Sequence, residues 1–144
     1  MNRPAPNRLL IFGAILSASA AALHLGCIVF GAAWYRFLGA GEAMAGMAES
    51  GHWHPTLVTL FISAMLLLWS MYALSGAGVL RRLPFLRTAL CLIAGIYLLR
   101  GVGFVLLMPH FPDNSLSFWI TSSAICLTFG VIHAIGLRQV WASL

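Results

Sequence analysis

Four long stretches of this chain, Leu9–Ala33, Pro55–Ala77, Thr88–Met108 and Phe118–Leu137, hold a single charged residue between them, Arg100. A bilayer core of roughly 30 Å is crossed by a helix of about 20 apolar residues, and every stretch reaches that length. Continuous apolar runs do not alternate as transmembrane β-strands must. The predicted fold is therefore all-α. It is an integral membrane four-helix bundle, with residues 1–144 forming one transmembrane domain. Composition agrees with this, since 61% of residues are hydrophobic and 8% charged. A soluble domain carries about 25% charged residues, and disorder requires low hydrophobicity.

Charge sets the expected orientation. All eight basic residues are arginines. Arg3, Arg8, Arg81, Arg82, Arg87 and Arg138 fall on the side shared by the N-terminus, the second loop and the C-terminus. The opposite side carries Arg36 and all three acids, Glu42, Glu49 and Asp113. The positive-inside rule then places both termini in the cytoplasm, with the bacterial inner membrane as the expected location. Topology accounts for the net charge of +5, so nucleic acid is not an expected partner. Arg3 and Arg8 ahead of Leu9–Ala22 imitate a secretory signal, but the run continues to Ala33, beyond the length of a signal core. An uncleaved first helix is expected. Cys27, Cys91 and Cys126 all lie within predicted spans, and an odd count at that depth argues against a disulfide framework.

The connections differ in kind. Gly78–Arg87 is short and contains Pro84, which predicts an antiparallel hairpin between the second and third helices. His110–Ser117 carries the turn residues Pro112, Asp113 and Asn114, and Asn114, Ser115 or Ser117 is placed to cap the fourth helix. Pro55 suits a first helical turn. The outward loop from Trp34 to Trp53 is long and rich in aromatic residues. Glu42 and Glu49, seven apart, would share one helical face. A short interfacial helix or lid is expected there, with an aromatic interface belt as the plainer alternative.

Within the spans, small and polar residues form helically spaced stripes that suit close packing and interhelical hydroxyl bonds. Arg100 does not reduce to packing. A mid-helix arginine costs about 2.5–3.5 kcal/mol on insertion scales, and intramembrane charges mark functional sites by default. At ~1.5 Å per residue, Arg100 lies ~18 Å and His24 ~22 Å from the cytoplasmic ends of their helices. The expected site is a polar cavity in the outward half of the bundle, around Arg100, His24 and Tyr97. Glu42 or Glu49 would supply counter-charge from the loop, with His52, His54 and Ser122 near the mouth. The structural alternative is a buried Arg–Glu pair that pins the loop. His133, near the cytoplasmic end at the depth of Trp69, is read as structural.

Three chemistries follow from those residues. A fixed cation with aromatic walls suits an anionic or amphipathic small molecule or a lipid. His24 and Cys27, three apart, and the His52-Trp53-His54 pair offer imidazole and sulfur for a metal or haem, although no CxxC or HExxH motif is present. His24 as base and Arg100 as anion clamp would suit a lipid-modifying enzyme. A structural subunit of a larger membrane assembly, or a homo-oligomer, is the remaining reading. Membrane lipids are expected partners in all of them. No cofactor follows from these residues.

Overall fold

Each apolar stretch becomes a helix for local reasons that also set its ends. In the computed structural model, which describes residues 5–144, α1 spans Arg8–Phe30 and starts where the Asn7 side chain accepts the Leu10 amide at 2.9 Å. It stops at Gly31, whose φ of 74° leaves the right-handed helical region, rather than running on to Ala33. Two short helices follow, α2 (Ala32–Phe37) and α3 (Glu42–Glu49), in place of a loop with one. The helix α4 (His54–Gly76) carries Pro55 in its first turn, where the missing N–H leaves nothing unsatisfied. Ser115 caps α7 (Leu116–Val140) by accepting the Phe118 amide.

The third stretch departs from expectation. Helix α5 covers Leu86–Val102, and the chain then turns through 70° into α6 (Phe104–Leu107) and a 3-10 turn at Met108–His110. Two glycines in three residues, Gly101 and Gly103, weaken the helix there, and Pro109 prevents its regular continuation. Three helices, α1, α4 and α7 with the turn that follows it, are long and apolar enough to cross a membrane. The bent segment Leu86–His110 reaches that length only as a broken pair. No strand occurs among the described residues.

The long helices associate as two hairpin-like pairs, α1 with α4 and α5 with α7, joined mainly through α1 against α7 and α4 against α5. Lipid is as apolar as a leucine, so close packing and polar contacts drive such pairing. The two pairs use different means. Between α1 and α4, Ser63 donates to the Ala21 carbonyl at 3.3 Å and Ser70 to the Ala14 carbonyl at 2.8 Å. Between α5 and α7 the backbones approach instead: a Cβ on Gly101 would stand 2.9 Å from the Leu127 nitrogen, and one on Gly130 2.9 Å from the Leu98 nitrogen. Large apolar side chains such as Val29, Phe61 and Leu99 face outward, the reverse of a water-soluble surface.

The two ends of the molecule are distinct. At one end, Asn7 donates its amide to the Ala77 carbonyl at 2.9 Å and its side chain to Gln139 at 2.7 Å. The start of α1, the end of α4 and the end of α7 meet there, and Arg8, Arg81, Arg82, Arg87 and Arg138 gather around them. Arg3 lies outside the described residues. At the other end, α2 and α3 form a cap with buried Cys27, Tyr35 and Ala45 at its centre. Thr59 donates to the buried Tyr35 hydroxyl at 3.1 Å, and Asn114 donates to the Gly39 carbonyl at 3.0 Å. Gly39 has φ 75°, and a Cβ there would stand 2.0 Å from the Phe118 ring. Glycine at that position lets the cap close onto α7.

Candidate functional site

The close approach of α5 to α7 decides where Arg100 goes. With Gly101 against Leu127 and Leu98 against Gly130, the side chain of Arg100 meets the α7 face carrying Trp119, Ser122 and Cys126. Positions three, four and seven apart share one side of a helix. Nη2 of Arg100 donates to Ser122 Oγ at 3.3 Å. Ser122 spends its own proton on the Trp119 carbonyl, also at 3.3 Å, so its oxygen is free to accept. The guanidinium carbon lies 5.3 Å from the centroid of the Trp119 ring. That ring is buried and fixed by edge contacts with Phe111 and Phe118. The other amino nitrogen, Nη1, is shielded from solvent and has no hydrogen-bond partner.

The acids are elsewhere, which overturns the expectation that Glu42 or Glu49 would neutralise Arg100. Both pair with Arg36: Nε and Nη2 grip the two oxygens of Glu42, and Nη1 donates to Glu49 at 2.8 Å. The reason is local. The turn between α2 and α3, with positive φ at Gly39 and Gly41, folds the last turn of α2 beside the face that Glu42 and Glu49 share. Arg36 is then the nearest cation. Its guanidinium holds the Glu42 carboxyl below the usual carboxylate range, and the two acids push the Arg36 pKa up in turn. Asp113 accepts the Glu42 backbone amide at 3.2 Å. Among the described residues the ion pairs are those of Arg36; Arg100 has no carboxylate.

The other expected members of the site are dispersed. Tyr97 turns away from Arg100: its hydroxyl is 2.9 Å from Ser17 Oγ, and its ring meets Trp69, Phe129 and His133 at centroid distances of 5.1–5.4 Å. His24, half-buried, donates Nδ1 to the Ala20 carbonyl of its own helix at 2.8 Å. Cys27 is buried beneath the cap. His52 and His54 are exposed, with the His54 ring edge-on to Trp53. No three His, Cys, Asp or Glu side chains come together among the described residues in a way that would hold a metal.

Sequence reasoning missed the interior polar cluster of Ser17, Tyr97 and His133. His133 is fully buried, donates Nδ1 to the Phe129 carbonyl at 2.8 Å, and leaves Nε2 without a partner against Gly13. The shared depth of His133 and Trp69 was the available signal. Comparison with protein-family models, curated proteins and solved structures finds no match.

Proposed function

We propose that this chain is an integral protein of the bacterial inner membrane, crossing it four times as a bundle with the start of α1 and the end of α7 in the cytoplasm. The bent segment Leu86–His110 is its third crossing. Its function is to bind an anionic or amphipathic molecule, a lipid or fatty acid, whose acidic head is held by Arg100. One observation carries this reading: Nη1 of Arg100 is buried with no partner. Arginine stays protonated in proteins, and a buried unsatisfied charge is costly. With Glu42 and Glu49 engaged by Arg36, an anion from outside the chain is the group that completes the site. Ser122 and the Trp119 face position the guanidinium, and the outward apolar surface of α5 and α7 admits the tail.

The other readings have less beneath them. Metal or haem chemistry would need His24, Cys27, His52 and His54 together. A lipid-modifying enzyme would need His24 facing Arg100, and the Nδ1 of His24 is engaged within its own helix. A purely structural subunit has no use for a charge without a partner.

The test is a thermal melt of the detergent-purified protein titrated with oleate or with oleyl alcohol, which differ in the head. Oleate is expected to raise Tm with the logarithm of its concentration above Kd, by an amount equivalent to about 2.7 kcal/mol at a hundred times Kd, and the alcohol is not. Arg100→Gln should lose the oleate response while still melting cooperatively. Equal responses to both amphiphiles, no response to either, or an unchanged oleate response in the variant would each overturn the reading.

A further inference from the structure

The end of the molecule opposite the cap carries a second arrangement that is independent of Arg100. Its short loop leads into α5 through Phe85, whose φ of 52° is unusual for a side chain of that size and whose ring is 84% exposed. A non-glycine residue held in this conformation stores backbone strain. No side chain caps α5, so the amides of its first turn are unclaimed by any side chain. They border a shallow concavity of about 680 Å3 lined by Arg82, Phe85, Arg87 and Thr88. Free first-turn N–H groups and the helix dipole favour an anion at such a place.

Arg87 is held in position there. It donates to the Trp141 carbonyl at 3.0 Å, and its guanidinium lies 4.6 Å from the Trp141 ring centroid. Trp141 and Arg138 also border a second, apolar groove of about 380 Å3 between α5 and α7. Its walls include Cys91, Ala94, Leu98 and Ala134. Arg87, Cys91, Ala94 and Leu98 follow one another along a single face of α5. The cationic recess and the apolar groove follow one another along the helix pair, with Arg87 stacked on Trp141 between them. All three acidic side chains lie toward the cap end, and although Leu144 also borders the recess, the ion pairs among the described residues are those of Arg36 alone.

We infer that this end binds one anionic phospholipid, its phosphate between Arg82, Arg87 and the first turn of α5, its acyl chain in the groove beside Cys91. Charge complementarity selects an anion, and the groove selects a lipid over free phosphate. The side chains of Ala94 and Ala134 are small enough to leave the channel open.

Cys91 is exposed and lines the groove, so the occupant is read directly. The purified wild-type protein in dodecyl maltoside is treated with N-ethylmaleimide, and modification is followed at Cys91 by peptide mass spectrometry against an isotope-labelled standard peptide. Phosphatidylglycerol at ten times its Kd should slow Cys91 alkylation about tenfold. Phosphatidylcholine and inorganic phosphate should have little effect. The triple variant Arg82→Gln, Arg87→Gln, Arg138→Gln should lose the protection. Equal protection by both lipids would overturn the inference without any variant. So would protection by phosphate alone. Protection that follows protein concentration instead of lipid would assign the groove to a second copy of this chain and overturn it too. Arg100→Gln should leave the protection intact, which separates this site from the one proposed above.

Discussion

Two arginines on the cap side of this molecule have opposite circumstances. Arg36 sits on the exposed cap with two carboxylates on its guanidinium. Arg100 sits between two membrane-facing helices with a serine, an indole face and one bare nitrogen. Water would have satisfied Arg36 in any case, and exposed ion pairs contribute little. Arg100 is the position where a carboxylate would have mattered. The acids are nonetheless committed to the arginine that needs them less. The cap is therefore self-contained, and the charge in the helix pair is left for something the chain does not itself provide.

Replacing Arg100 by leucine should have the largest effect, and its sign separates the two arginines. A charge kept for a ligand is a burden on the empty protein, so Arg100→Leu should raise unfolding stability by about 1–3 kcal/mol in detergent. It should also abolish the oleate response. A charge that pinned the fold would behave oppositely, because breaking a buried pair costs 3–5 kcal/mol. Chemical denaturation of both proteins distinguishes these outcomes.

Gly39→Ala tests whether the cap and the arginine site are mechanically joined. An L-residue at φ 75° costs roughly 1–2 kcal/mol on the backbone alone, and the new methyl would meet the Phe118 ring. Phe118 packs edge-on to Trp119, whose face carries Arg100. The variant should lose stability by at least that backbone cost, exchange amide hydrogens faster across α2 and α3, and bind oleate several-fold more weakly. Unaltered oleate affinity alongside a loosened cap would make the cap a bystander to the site.

Much of this architecture is legible in the sequence, and what is not has identifiable causes. The apolar runs, Pro55 and the cap candidates Asn114, Ser115 and Ser117 locate α1, α4 and α7 to within three residues, because length and capping are local properties. Helix α5, by contrast, ends at Val102, six residues short of the expected Met108. The spacing of Glu42 and Glu49 correctly predicts a shared helical face. Their partner is not readable, since it depends on the glycine turn that lays α2 beside α3. Tyr97 and Arg100 are three apart and read as one stripe, yet one side chain meets Ser17 and the other Ser122. Depth along a helix can be counted in residues, whereas the neighbour a side chain turns toward is set by helix packing. The bend at Gly103 was similarly hidden inside a run whose hydropathy never falters. Gly101 and Gly103, with Pro109 beyond, were the signal for it.

The smallest effect concerns Arg36 and appears as a pH dependence confined to the cap. Arg36 lowers the Glu42 carboxyl pKa, so the folded cap holds the ionised form more tightly than the unfolded chain does. The contribution is complete above the free carboxylate value of about 4.3. It fades as acid takes the pH below that, through the lowered value, where Glu42 gains a proton and Arg36 keeps its own. Both partners are exposed and screened by salt, so global stability should barely register the change. Hydrogen exchange, normalised for its intrinsic pH dependence, should show α2 and α3 opening more readily below that value while α5 and α7 hold. Arg36→Gln should open the cap at neutral pH and flatten the acid response, leaving oleate binding at Arg100 unaltered. If acid instead loosened α5 and α7 first, the cap's ion pairs would not be what holds it, and the contrast between the two arginines would fail at its weaker end.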